Sequence, residues 1–289
     1  MTIQARPHAA HDMPGQLGMT FGIGLLTALC LLANPAGATT GSGPKYCTQT
    51  ATLVRRACGL DTDNAYLLTV AACINLNDPA VRQGCMVDAR RARRDSLQAC
   101  ADQTASRLQV CAAVGEDRYD PDFSPANFET DFAHLSITNP YLPINVGNRW
   151  DYAGSGQTYR VEILDRTKSI AGVTCVVQHD QVKQAGHVAE DTYDWLAQTH
   201  AGSVWYCGEQ SSDYAVFAGD KPVTPELQNI DGSFKAGSDL AKAGMLMPAT
   251  ARVGMTFRQE VSLANAEDVT QIITTSYRYG EDADLDRLF

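Results

Sequence analysis

The chain has 289 residues, 44% hydrophobic and 19% charged, with a formal net charge of −10 at pH 7. That apolar fraction fills one or two packed cores and excludes a disordered or collagen-like polymer. The acidic balance argues against nucleic acid as a partner, because phosphate binding rests on an excess of Lys and Arg.

The first patterned segment is 21–38, "FGIGLLTALCLLANPAGA", an apolar run closing on Ala36-Gly37-Ala38. Small residues flanking one position are the mark of a signal-peptidase site, and the run is too short for a membrane anchor. Arg6 is the only firm positive charge ahead of it. Leu29 precedes Cys30 where a lipoprotein signal has a small residue, so cleavage after Ala38 is expected rather than lipidation. The chain therefore reads as periplasmic or secreted, with no transmembrane anchor. Eight of its nine cysteines follow that site, and an even count in an oxidising compartment implies disulfides.

Residues 45–114 read as a Cys-rich helical domain. Helices are expected over 47–58, 64–76 and 79–114, the last with an irregularity at Gly84. Asp78-Pro79 supplies an N-cap and a first-turn proline. Cys47 and Cys58 are eleven residues apart, as are Cys100 and Cys111. That step turns a helix by about 1,100°, roughly 20° past three full turns, so each pair shares one helix face. Two antiparallel helices with matching steps bridge at both levels, as Cys47–Cys111 and Cys58–Cys100, and Cys73–Cys85 closes the turn. No CxxC pair occurs and 45–118 holds no histidine, which disfavours redox, zinc and haem chemistry. Arg90–Arg94 is the one basic cluster, with Asp88 and Asp95 within a helical turn of it, so a solvated charged face is expected. Docking of that basic helix on the acidic β domain or on an anionic envelope surface is the other reading.

Composition changes near residue 118. Residues 45–118 carry a net charge of +2 and 119–289 a net charge of −12. The stretch 115–128, "GEDRYDPDFSPANF", has the prolines and acids of a linker. From 129 to 289 short β-branched and aromatic segments alternate with Gly, Asn and Asp. They are "RWDYAG", "TYRVEILD", "VTCVVQHD", "DTYDWLA", "SVWYCGE", "TFRQEVSL" and "VTQIITTSYRY". Their spacing predicts an antiparallel sandwich or partial barrel, so the whole is α+β in two domains. Cys175 and Cys207 fall in two of these strands and are expected to form a buried cross-strand disulfide.

Two stretches, "DTYDWLAQTHAGSVWYCGE" and "GMLMPATARVGMTFRQEVSLANAEDV", resemble a family of uncharacterised secreted bacterial proteins. The shared motifs are Asp194-Trp195, Ala197-Gln198, Val204–Tyr206, Gly208-Glu209, Met247–Ala249, Gly254, Arg258–Glu260 and Ala266–Asp268. "NPYLPINVGNRWDYAG" is similar to that family's opening strand, and the likeness covers roughly residues 125–280. It implies an exported β-rich domain and no particular activity. Cys207 stands where the family more often has an aromatic residue. Relatives continue past "DADLDRLF" with further strands, which implies a truncated member with an exposed sheet edge.

Polar residues recur at strand positions within these motifs: Asp191, Asp194, Glu209, Arg258, Glu260, Glu267 and Asp268. Alternation puts Arg258 and Glu260 on one face of one strand. Such a set fits a convergent pocket for Ca²⁺ or a small polar ligand, and equally a set of ion pairs on a solvated face. Glu209 and Glu260, helped by Arg258, are the only candidates for carboxylate-based hydrolysis or lyase chemistry. No GxSxG, HExxH or P-loop is present, no cofactor motif is found, and no catalytic residue is assigned. His179-Asp180 with His187 form a weak metal-ligand candidate. Trp150, Trp195, Trp205, Tyr152, Tyr193 and Tyr206 fit a core, or a sugar-stacking platform. The leading expectation is an exported, non-enzymatic binding or interaction module, its partner a small polar ligand or an envelope protein.

Overall fold

The computed structural model describes residues 43–287; the expected signal segment, with Cys30 and Ala38, lies outside the described residues. Helix α1 (Tyr46–Ile74) and helix α2 (Pro79–Val114) form an antiparallel hairpin. The break expected between 58 and 64 does not occur, and α1 is one continuous helix. Thr62 is buried beside Cys100, and Asp63 accepts a 2.8 Å hydrogen bond from Arg93 of α2. These cross-hairpin contacts override the low helix propensity of Gly59-Leu60-Asp61-Thr62-Asp63. Helix α2 likewise runs unbroken through Gly84. Its start is as expected: the Asp78 side chain accepts from the backbone N–H groups of Ala80 and Val81, and Pro79 fills the first turn.

The hairpin has almost no apolar core. Its buried positions are Cys47, Ala51, Val54, Thr62 and Cys73 on α1, and Ala89, Cys100, Thr104 and Cys111 on α2. Three disulfides stand in for that core: Cys47–Cys111, Cys58–Cys100 and Cys73–Cys85, nested as the cysteine spacing requires. Within the arginine cluster, Arg91 pairs with Asp88, and Arg93 with Asp63 and the Tyr66 ring.

The remainder is antiparallel sheet. Its strands are β1 (Arg149–Gly154), β2 (Gln157–Ile170), β3 (Val173–Gln184), β4 (His187–Gln198), β5 (Val204–Gln210), β6 (Asp213–Ala215), β7 (Glu226–Asn229), β8 (Phe234–Lys235), β9 (Lys242–Met247), β10 (Thr256–Arg258), β11 (Glu260–Val261) and β12 (Val269–Gln271). Ten strands form a half-barrel in the order β1-β2-β3-β4-β5-β9-β11, with β6, β7 and β8 attached alongside, while β10 and β12 make a separate pair. The first three hairpins turn on Ser155-Gly156, Ala171-Gly172 and Ala185-Gly186. All six residues have positive φ, the two-residue turn whose twist matches that of the strands. Strand β9 and the short β6, β7 and β8 were not expected from sequence. "VTQIITTSYRY" supplies only the three residues of β12.

Alternation sorts the strands into two apolar layers. One face packs Ile163, Val176, Leu196, Val204, Tyr206, Phe234 and Met247, and is closed by Phe132 and Ile144 from the segment before β1. Asn139, fully buried, holds that segment down. It donates to the carbonyls of Gly202 (2.8 Å) and Pro248 (3.1 Å) and accepts from the N–H groups of Tyr141 and Leu142. The other face packs Val173, Val177, Trp195, Ala197 and Ala243 around a buried Cys175–Cys207 disulfide. That bond joins β3 to β5 across the intervening β4. Cys207 falls at the register shift between the Trp195–Gly208 and Leu196–Tyr206 pairs, so no residue of β4 stands directly opposite it.

Residues 115–128 run in contact with the sheet. Phe123 and Phe128 pack on Trp205, the Tyr119 hydroxyl donates to the Ala243 carbonyl at 2.9 Å, and Lys242 holds Asp120 at 2.6 Å. At the hairpin end, the Glu116 carboxylate accepts from the N–H and hydroxyl of Thr48. Arg107 of α2 meets Glu267 at 2.6 Å, with both side chains largely buried.

Because disulfides replace the hairpin core, breaking one should cost far more than a surface substitution. The Cys58–Cys100 bond closes a 42-residue separation, and the loop-entropy relation gives about 2–4 kcal/mol for its loss. Urea unfolding followed by far-UV circular dichroism of the Cys58→Ser/Cys100→Ser variant is expected to show that loss. A change below about 0.5 kcal/mol would contradict the assignment of the disulfide as the core.

Candidate functional site

The face that carries Leu196 and Tyr206 is apolar at one end and polar at the other. On β3 the residues on this face are Val176, Gln178, Asp180 and Val182; on β4 they are Glu190, Thr192, Asp194 and Leu196. All of these but Val176, with Tyr159 from β2, Tyr206 from β5 and Leu246 from β9, line a cavity of ≈400 Å³. Asp194, Glu209 and Glu260 are 6%, 3% and 6% exposed, so three carboxylates are almost wholly withdrawn from bulk water at one place.

The hydrogen bonds tie these groups together. The Tyr206 hydroxyl contacts Asp194, and lies 3.1 Å from Glu209 Oε2. Gln178 Nε2 donates to the other Asp194 oxygen at 2.9 Å. The Tyr159 hydroxyl donates to Asp180 Oδ2 at 2.7 Å. Thr192 bonds Glu190 at 3.1 Å and Ser211 at 3.0 Å. A phenol has one proton, so Tyr206 donates to one carboxylate at a time. Its second contact is a hydrogen bond only when a carboxyl group carries the proton.

The electrostatics agree. Burial, then the neighbouring Asp194 carboxylate, push the Asp180 carboxyl up to about 8, against the pull of the Tyr159 hydroxyl. Burial, followed by the charges of Asp194, Glu209 and Glu260, holds the Tyr206 phenol well above its ordinary value. Burial and Asp180 raise Tyr159 in the same way. All three shifts report one condition, an excess of negative charge in a poorly hydrated space.

Two glycines set this geometry. Gly208 has φ +141, and a Cβ there would lie 2.3 Å from the Phe234 carbonyl oxygen, so its absence lets β8 close on β5 and aims Glu209 inward. A Cβ on Gly244 would meet the Gln259 carbonyl oxygen at 2.1 Å. The chain therefore crosses β9 at Gln259, whose N–H and that of Glu260 both reach the Asp268 carbonyl.

That crossing separates residues expected together. Arg258 and Glu260 do not share a face of one strand, because β10 ends at Arg258 and β11 begins at Glu260. Glu260 turns toward Tyr206, whereas Arg258 lies 3.3 Å from Cys47 Sγ at the hairpin. Burial lowers the Arg258 guanidinium, with Glu267 and Tyr119 beside it opposing that shift. Glu267 pairs with Arg107 and also caps the Ala264 N–H. Arg107, outside the basic cluster, thus makes the ion pair between hairpin and sheet. Asp191 points to the opposite face of β4, 2.6 Å from His179, which stacks on Tyr193. Asp268 is buried at the crossing. Of the seven residues singled out, Asp194, Glu209 and Glu260 converge; Arg258 and Glu267 belong to the hairpin interface.

Tyr159, Gln178, Glu190 and Thr192 were missed as site residues, and Asp180 was named only beside His179 and His187 as a weak metal-ligand candidate. Alternation within "CVVQHDQV" was the available signal, but His179 and Gln181 are polar on the opposite face, so no apolar stripe marks which face is inward. Trp195 and Trp205 are core, with Lys168 over the Trp195 ring. Among the described residues no three of His, Cys, Asp and Glu are grouped to hold a metal ion. Comparison with protein-family models, with curated proteins and with solved structures finds no match to this chain.

A carboxyl raised to about 8 in the folded protein but ordinary when unfolded makes folding bind protons between those values. Its contribution to stability is fully present below about pH 4 and lost as pH rises through about 8. Asp180→Asn, which keeps an acceptor for Tyr159, is expected to raise stability at pH 8 by roughly 1–3 kcal/mol. The same variant should change little at pH 4. Thermal unfolding across that range checks it, and equal effects at both pH values would refute the shift.

Proposed function

We propose that the protein is an exported binding module whose sheet cavity holds a small organic cation. Its ligand is an amine with hydrogen-bond donors, and its disulfide-held hairpin is a rigid, protease-resistant attachment. The observation that carries this reading is the cavity of ≈400 Å³ lined by Asp180, Glu190 and Asp194 with the Tyr159 and Tyr206 rings. A positive ligand is favoured by a lining that gathers three carboxyl groups, and tyrosine rings favour a cation through their electron-rich faces. The walls are strands of one sheet cross-linked by Cys175–Cys207, so the site is held open without the ligand.

Four disulfides fit a non-cytoplasmic, oxidising compartment, and no helix among the described residues is long and apolar enough to cross a membrane. The finer reading is periplasmic or secreted, with cleavage after Ala38, in kinship with the secreted β-rich family whose motifs the chain resembles. A hydrolase built on Glu209, Glu260 and Arg258 is less favoured, since Arg258 sits at the hairpin interface, against Cys47. A calcium site is also less favoured, because the carboxylates answer to tyrosine and amide donors.

Calorimetric titration with 1,4-diaminobutane, and with succinate as an anionic control of similar length, tests the reading. The diamine is expected to bind and succinate not to. Asp194→Asn should weaken the diamine by about tenfold or more. No binding of the diamine up to about 10 mM, or equal binding by the variant, would count against a cation site.

A further inference from the structure

The outward side of α1 carries a feature that neither the hairpin nor the sheet uses. Leu53, Leu60, Leu67 and Ile74 recur at a constant seven-residue spacing, and each keeps 62 to 66% of its surface exposed. Four residues on from the first three lie Ala57, Asn64 and Ala71, all exposed. At about 100° per residue this seam faces away from the side of α1 where Ala51, Val54 and Cys58 meet α2. Single exposed leucines are ordinary, but four in register over about 32 Å of helix form a continuous apolar ridge. The exposed apolar residues of α2 build no such run: Arg94 interrupts the one seven-fold series, between Val87 and Leu108.

We infer that α1 pairs in parallel with α1 of a second copy of this chain, as a two-stranded coiled coil. A seven-residue repeat is the period that keeps a seam facing another helix; a flat surface imposes no such period. The large positions alternate with small ones, so Leu53, Leu60, Leu67 and Ile74 take the d sites and Ala57, Asn64 and Ala71 the a sites. Asn64 decides between occupants. In a parallel pair it meets Asn64 of the second copy and hydrogen-bonds it, the device that fixes register and a two-stranded state. Against an acyl layer or a wholly apolar partner, its amide is buried without a partner. The flanks agree in charge. Arg56 falls at a g site and Asp61 at the following e site, and parallel pairing sets Arg56 of one copy against Asp61 of the other. Neither forms an ion pair within the described residues. The β domain leaves the seam free, since it reaches the hairpin through Arg107 of α2 and the Cys47 end of α1. The disulfides hold α1 as a formed helix in the monomer, so pairing requires little ordering.

Sedimentation equilibrium of the full chain with its disulfides intact tests this. The wild type is expected to sediment at twice its monomer mass. Leu60→Glu/Leu67→Glu should be monomeric, with unchanged helicity and unchanged disulfide map, because both positions are exposed. Arg56→Asp alone should weaken the dimer by about tenfold, and Arg56→Asp/Asp61→Arg should restore it. A wild type that stays monomeric at about 100 µM would overturn the inference. So would a dimer that survives Leu60→Glu/Leu67→Glu, or a charge swap that fails to restore it. Capture of the wild type, and not of the leucine variant, by phosphatidylglycerol vesicles without dimerisation would assign the ridge to a membrane surface instead.

Discussion

The contact of one tyrosine hydroxyl with two buried carboxylates organises the sheet domain. Tyr206 reaches Asp194 and Glu209, with Glu260 close enough to act on its charge. Ionised carboxylates are costly to withdraw from water, and such groups persist only with donors, protons or counter-cations. The fold supplies donors from Gln178, Tyr159 and Thr192, and a proton held by Asp180 into the neutral range. Two arginines of the fold serve the hairpin interface: Arg258 lies against Cys47 and Arg107 is paired with Glu267. An acidic interior built around Tyr206 is therefore the feature on which the proposed function rests.

The surrounding architecture keeps that interior in place at some cost to sequence freedom. Gly208 and Gly244 admit backbone approaches that no side chain tolerates. The Cys175–Cys207 disulfide ties β3 to β5. Asn139 seals the end of the apolar layer with four hydrogen bonds. The hairpin obeys a different logic, with cysteines in place of leucines on its inner face and leucines on its outer one. Covalent staples have freed its apolar residues for the outside.

The sequence disclosed these two halves unequally. Cysteine spacing is a local count, and an eleven-residue step states its own helix face, so Cys47–Cys111 and Cys58–Cys100 were legible, while Cys73–Cys85 was legible from its place astride the Asp78-Pro79 turn. The first five strands were legible because Ser-Gly and Ala-Gly turns separate runs of β-branched residues. The site was legible only in part. Asp194, Glu209 and Glu260 stand out as acids within apolar runs, whereas Asp180 hides between His179 and Gln181. The split of Arg258 from Glu260 was not legible at all. It arises from a crossing of β9 at Gly244, a contact between residues far apart in sequence, and strand alternation assumes no such crossing. The continuity of α1 across Gly59-Leu60-Asp61-Thr62-Asp63 was hidden for the same reason, since Arg93 and Cys100 of α2 enforce it.

Carbon-13 NMR titration of the Asp and Glu carboxyl groups, without and with 1,4-diaminobutane, tests the central claim most directly. The account predicts a carboxyl, assigned through Asp180→Asn, that titrates near 8 in the free protein. It should move toward the ordinary carboxylate range, about 4, when the cation is bound. An ordinary carboxylate value for Asp180 in the free protein, or a raised value unchanged by the cation, would contradict the claim that this cavity gathers negative charge to hold a cation.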